Sequence, residues 1–123
     1  MLYKNIQTLK NKKEFDFVYK NSVRFRSEVC DICILRAKLM DNFYTRFNKS
    51  IDYNLVGFIV SKKVGKAVER NLVKRRFRAI VQKLLSQKTK FVFIIIAKEK
   101  IKQIPFYKLE MDIKNILSKS CIK

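Results

Sequence analysis

The chain has 123 residues, with 29 Lys and Arg against 10 Asp and Glu, a formal net charge of +19 and no histidine. Such a charge repels itself in a small domain unless a polyanion neutralises it, so nucleic acid is the first partner class and an anionic membrane surface the second. At 48% hydrophobic content the sequence is too apolar for a disordered basic tail, and its length suits one domain, residues 1–123, around one modest core.

In chain order, the first fifteen residues lack the long apolar core of a signal peptide. Residues 11–20 read as a short helix on which Phe15 and Tyr19 share a face while Phe17 and Val18 point elsewhere. Asn21 and Ser22 end it. Val23 to Leu35 is strand-like. Lys38 to Asn54 is polar and aromatic without a clear period, and is expected to be a long hairpin connection. Leu55–Ser61 and Phe91–Ala97 are near-continuous apolar runs, as in strands covered on both faces. Between them Ala67 to Ser86 forms a helix. Pro105 opens a last helix whose buried stripe is Phe106, Leu109, Ile113, Ile116 and Leu117. This order predicts an α+β fold with helices packed on a small sheet. A parallel strand–helix–strand unit over Leu55–Ala97 would be right-handed by the general rule.

The basic charge is concentrated. Val60 to Arg78 reads VSKKVGKAVERNLVKRRFR, eight cations around one acid, Glu69. At about 100° per residue, Asn71, Lys74, Arg75, Arg78 and Gln82 fall on one helix face. Leu72, Val73, Phe77, Ile80, Val81 and Leu84 fall on the other. A solvated face usually mixes signs; this one suits a phosphate backbone, with Arg giving forked contacts and Lys point charges. Arg76 lies at the edge of the apolar arc and is left off that face. Lys62, Lys63 and Lys66 stand at the turn into the helix, where the helix start adds to the positive field. Phe15 and Tyr19 are candidate stacking platforms for unpaired bases, or else core residues.

Other chemistry is excluded by what is missing. Without histidine there is no Ser–His or Cys–His catalysis. Gly65 alone precedes the basic helix, which is no phosphate-binding loop. Asp16, Asp31, Asp41, Asp52, Glu69 and Glu110 are dispersed and form no cluster for catalytic Mg²⁺. The polypeptide by itself is not expected to be a catalyst, and no catalytic or metal-ligating residue is assigned. Cys30, Cys33 and Cys121 are an odd, irregular set, which favours a reducing, cytoplasmic setting over a disulfide framework. Cys30 and Cys33 lie three apart in a predicted strand and should point to opposite faces. The longest apolar run, Phe91–Ala97, is far too short to cross a bilayer.

The spacing of the basic segment resembles the arginine-rich "RNR" signature of the bacterial ribonuclease P protein family. The residues that carry the likeness are Ser61-Lys62-Lys63, Gly65, Ala67-Val68, Arg70-Asn71, Lys74-Arg75 and Arg78. LKNKKEFDFVYKNS resembles that family's opening helix, with its two aromatics at Phe15 and Tyr19. FIIIAKEK resembles its last strand, and the stretch from Pro105 its closing helix. The resemblance implies a compact α/β sandwich, a four-stranded sheet and a left-handed crossover. It implies a protein cofactor for a catalytic RNA that, with Mg²⁺ held mainly by the RNA, removes the 5′ leader from precursor tRNA. Lys62, Lys63, Lys66, Arg70, Asn71, Lys74, Arg75 and Arg78 would face the RNA subunit. Phe15 and Tyr19 would hold the single-stranded leader. The partners would be the ribonuclease P RNA, one per protein, and precursor tRNA, with no DNA and no membrane. Two features depart from the family pattern. Cys30, Asp31, Ile32 and Cys33 stand where a cleft-floor aromatic is frequent, and the Lys38–Asn54 connection is long. A structural RNA-binding module, such as a ribosomal protein, fits the composition equally well.

Overall fold

The computed structural model describes residues 5–85 and 90–121, with side chains through residue 119. Five strands and four α-helices follow one another as β1 (Ile6–Thr8), α1 (Lys12–Lys20), β2 (Ser22–Arg26), β3 (Cys30–Leu35), α2 (Ala37–Arg46), β4 (Asn54–Ile59), α3 (Ala67–Leu84), β5 (Val92–Ala97) and α4 (Phe106–Cys121). The predicted helix end at Ser86 and the side chain of Cys121 lie outside the described residues.

The sheet runs β1-β4-β5-β3-β2. β1, β4 and β5 are parallel, while β3 is antiparallel to both β5 and β2. The expected single strand Val23–Leu35 is therefore a hairpin. Ser27 turns it: its N–H donates to the Cys30 carbonyl at 2.9 Å, and its hydroxyl accepts the Cys30 N–H at 3.1 Å. The sheet has five strands rather than the four implied by the resemblance. The additional one, β1, has three residues and no apolar alternation to reveal it. It is pinned by tertiary bonds, with Asn54 N–H and side-chain Nδ2 both donating to the Asn5 carbonyl at 2.9 and 3.0 Å.

Both faces of the sheet are buried. One carries Ile32, Ile34, Val56, Phe93 and Ile95 against Val73, Phe77, Ile80 and Val81 of α3 and Leu109, Ile113, Ile116 and Leu117 of α4. The other carries Cys33, Leu35, Leu55, Val92 and Ile94 against Val18 of α1 and Phe43 and Tyr44 of α2. Coverage on both sides explains why β4 and β5 read as continuous apolar runs. The α4 stripe holds except at Phe106, which is 41% exposed, and Leu72 of α3 is 39% exposed. Cys30 and Cys33 do point to opposite faces. Burial pushes the Cys30 thiol up to about 11, so it behaves as a small apolar residue.

The handedness of the β4–α3–β5 crossover follows from one hydrogen bond. Leu55 N–H donates to the Phe91 carbonyl at 2.8 Å, so β5 lies on the side to which that N–H points. In an L-residue viewed with its side chain forward and its chain running up, the N–H points right. Leu55 faces α1, so β5 lies to the right from that side and to the left when α3 is in front. The crossover is left-handed, against the general rule.

Residues 38–54 are not an extended connection. They hold all of α2 but its first residue, and the helix buries Phe43 completely and Tyr44 nearly so. Phe43 meets Phe17 edge-on at 5.6 Å and Phe47 at 4.6 Å between ring centroids. Leu39, Phe43 and Phe47 repeat every four residues, a helical period that the intervening aromatic Tyr44 obscures. The start gives no signal either, because Arg36 provides no side-chain cap. Phe43→Ala should cost about 3–5 kcal/mol by urea denaturation; a loss near zero would show that α2 is a peripheral appendage.

Candidate nucleic-acid interface

α3 presents the basic arc. Val73, Phe77, Ile80 and Val81 dock on the sheet. Helical geometry then spreads Asn71, Lys74, Arg75, Arg78 and Gln82 over an arc of about 100° on the outer side. Asn71 and Arg75 are exposed; Lys74, Arg78 and Arg70 are partly covered. Arg78 reaches the sheet edge, its guanidinium 5.5 Å from the Phe58 ring, which stacks on Phe77 at 6.1 Å. That contact seats the charged head itself over the ring, with the side chain partly covered. Arg76 is partly covered, as expected for the edge of the apolar arc.

Lys62, Lys63 and Lys66 are exposed around the turn before α3. The turn is closed by Val64 N–H to the Ser61 carbonyl at 3.1 Å and Gly65 N–H to the Lys62 carbonyl at 3.2 Å. Glu69, the only acid in the segment, has a structural task. Its Oε1 accepts the Lys66 N–H at 3.0 Å and its Oε2 pairs with Lys102 at 2.9 Å. The Lys102 hydrogen bond, helped by the Lys66 N–H, holds this carboxyl below its usual range. A Cβ on Gly65, at φ 157°, would collide with that carboxylate, which is why the turn needs glycine.

Phe15 and Tyr19 lie on the opposite side of the sheet from α3. Asn11 caps α1, accepting Glu14 N–H at 3.1 Å, while buried Glu14 accepts Lys10 N–H at 2.8 Å and pairs with Lys49 at 3.0 Å. This fixes the helix above the strands. Phe15 lies over Gly57 so closely that a Cβ there would come within 2.5 Å of its ring. Tyr19 is 40% exposed at the next turn.

Strand register supplies the floor of this cleft. One cross-strand row is Gly57–Ile94–Cys33–Arg24. The next, about 7 Å along the strands, is Ile59–Ile96–Asp31–Arg26. Ile59 and Ile96 are only partly buried, so the second row lies open beyond α1. Asp31 faces this side of the sheet, where an unpaired carboxylate would repel a phosphate chain. The conflict is resolved within the protein: Arg24 Nη2 lies 2.7 Å from Asp31 Oδ2 and Lys98 Nζ 3.1 Å from Oδ1. Burial pushes the Asp31 carboxyl up, but the hydrogen bonds from Arg24 and Lys98 outweigh it and hold it below 3.8. Arg24 and Lys98 were not legible as site residues, because only the hairpin register brings them to this face. Cys33 takes the middle of the row between Ile94 and Arg24 and is buried there. Among the described residues, no three of Cys, Asp or Glu gather as a metal site, and no helix is long and apolar enough to cross a membrane.

A cationic helix on one side of a mixed sheet and an aromatic, cation-rimmed cleft on the other define an RNA-binding α+β protein. The ribonuclease P family model matches residues 3–121. The ribonuclease P protein component of Helicobacter hepaticus is 36% identical, covering 96% of this chain and 84% of its own. That of a Nitratiruptor species is 33% identical over 94% of each. The RNase P protein structure from Staphylococcus aureus superposes with a TM-score of 0.73 at 23% identity, covering 92% of this chain and 94% of its own. That from Thermotoga maritima gives 0.69 at 20% identity, covering 92% and 96%. The chain belongs to the ribonuclease P protein family.

The Asp31 pairs give a pH signature. Asp31 titrates lower when folded than when unfolded, so its pairs stabilise the fold fully above the ordinary value of 3.8 and lose that contribution as pH falls through the folded value. Asp31→Asn should therefore cost about 1 kcal/mol at neutral pH, with the difference from wild type vanishing in acid denaturation series below that range. A difference that grows on acidification would contradict the pairing.

Proposed function

We infer that this chain is the protein component of ribonuclease P, the endoribonuclease that removes the 5′ leader of precursor tRNA, and that the two sides of its sheet grip two different RNAs. The observation that carries the reading is the separation of the basic arc of α3 from the Phe15–Tyr19 cleft by the sheet itself. The arc of Asn71, Lys74, Arg75 and Arg78, with Arg70, Lys62, Lys63 and Lys66 at the helix start, takes the phosphates of the RNA subunit. The cleft takes the leader: Phe15 and Tyr19 stack on unpaired bases, and the cations at the strand ends meet the backbone.

Phosphodiester hydrolysis belongs to the RNA. The protein brings no imidazole and, among the described residues, no carboxylate cluster suited to Mg²⁺, so the reading assigns the catalytic metal to the RNA subunit. Metal-bound water there would supply the nucleophile and leave a 5′ phosphate on the mature tRNA. This chain's residues neutralise phosphate repulsion between the two RNAs and hold the leader still, which favours precursor over product. One protein per RNA and a cytoplasmic setting complete the reading.

Purified protein should leave precursor tRNA uncut and restore cleavage when its RNA subunit is added; leader removal by the protein alone would end this reading. Replacing Arg75 and Arg78 together by Ala should weaken binding to the RNA subunit and flatten the log affinity–log salt slope by about 2. Unchanged affinity at moderate salt would remove α3 from the interface. Phe15→Leu keeps an apolar contact over Gly57 but removes the ring. It should lower affinity for precursor tRNA by about fivefold, within the 1–3 kcal/mol range of base stacking, and leave mature tRNA unaffected. Equal effects on both would make Phe15 a core residue only.

A further inference from the structure

The Arg24–Asp31 pair is arranged to do more than cancel charge. Arg24 stands on β2 opposite Cys33, beside Tyr19, which shares its local electrostatic environment. It binds Asp31 through one edge only: Nε at 3.2 Å and Nη2 at 2.7 Å both donate to Oδ2. The end of the guanidinium, with the two N–H groups of Nη1 and the second of Nη2, makes no further contact within hydrogen-bond range among the described residues. The Arg24 side chain is 44% exposed, whereas that of Asp31 is 11% exposed. Lys98 holds the other carboxylate oxygen and is 40% exposed. A buried carboxylate thus anchors two half-open cations at the edge of the open Ile59–Ile96 row, one strand step beyond Phe15.

We propose that Arg24 binds a phosphodiester of the leader through its free guanidinium end, and that Asp31 is the positioning residue that orients it. The proposal rests on the leader-binding role of the cleft. A free arginine side chain loses rotamer entropy when it binds; one already locked by a carboxylate loses less, and its fork matches two phosphate oxygens. The contact offered by this site is a charge-assisted fork rather than a stacking ring. Leader recognition at this position therefore reads backbone rather than base. Leaders that reach past Phe15 and Tyr19 gain from it, and shorter ones do not.

The sign of one substitution separates this role from simple charge. If Asp31 only neutralises Arg24, Asp31→Asn makes the cleft more positive and tightens RNA binding. If Asp31 orients Arg24, the same change weakens leader binding despite the added positive charge. The experiment measures affinity of the complex with its RNA subunit for mature tRNA, for precursor with a leader of two nucleotides and for precursor with a leader of ten. Asp31→Asn should lower affinity for the long-leader precursor about threefold, and Arg24→Lys, which keeps the charge and loses the fork, about tenfold, the scale of one charge-assisted hydrogen bond. Neither should change affinity for mature tRNA or the short-leader precursor. Tighter long-leader binding by Asp31→Asn, or an Arg24→Lys protein that binds all three RNAs like wild type, would overturn the proposal. Should Asp31→Asn fail to fold, Arg24→Lys decides alone. Phe15→Leu in the same assay keeps the two readings apart. If it weakens long-leader binding while the Arg24 and Asp31 variants do not, the subsite falls and the cleft stands. If wild type itself does not distinguish precursor from mature tRNA, the cleft reading falls first.

Discussion

Burial of one small sheet on both faces governs where this protein can place its charge. β3, β4 and β5 are covered by α3 and α4 on one side and by α1 and α2 on the other. An unpaired charge inside those layers would cost several kcal/mol, so the excess cations are driven to helix exteriors and strand ends. The few acids then become valuable as fixing points. Glu14, Asp31 and Glu69 each bind a lysine or arginine and at least one further group, and each stabilises an element that shapes the surface: α1, the cleft floor and the start of α3. A net charge of +19 is tolerated because the repulsion is spread over a surface meant to be covered by RNA.

The left-handed crossover has a functional consequence. It puts α3 and α1 on opposite sides of β4 and β5 while leaving the turn that holds Lys62, Lys63 and Lys66 at the carboxyl ends of the same parallel strands. Lys98 leaves β5 at that end as well. The basic arc of α3 and the Phe15–Tyr19 side therefore meet along one edge of the sheet, where ligands commonly sit in open parallel sheets. On the function proposed above, a leader crossing the cleft would run toward the cations proposed to face the RNA subunit. On that proposal the sheet and its helices would set a fixed spacing between the RNA subunit and the strand to be trimmed.

Much of this was legible in the sequence, and for identifiable reasons. The α3 arc could be read because, Leu72 apart, its apolar and cationic residues separate at a period of 3.6, and β4 and β5 because two-sided burial leaves few polar interruptions. Phe15 and Tyr19 could be placed on one face by spacing alone. The hairpin inside residues 23–35 was hidden because Ser27 and Glu28 make the turn without glycine or proline. α2 was hidden because its buried positions are aromatic and closely set, and because no cap marks its start. β1 is too short to show a pattern and exists through the bonds to Asn54. The role of Asp31 depended on register: a one-residue slip would turn it to the other face, and only the pairing of Arg24 with Cys33 shows which cations reach it.

The central claim is that opposite faces of the sheet serve different RNAs. Hydroxyl-radical oxidation of side chains in the assembled complex, read by mass spectrometry, tests it directly. Adding the RNA subunit should protect Leu72 and its neighbours on α3 while leaving Tyr19 and Phe15 reactive. Adding precursor tRNA should then protect Tyr19 and Phe15, and mature tRNA should not. Protection of Tyr19 by the RNA subunit alone, or of α3 only when a leader is present, would contradict the division.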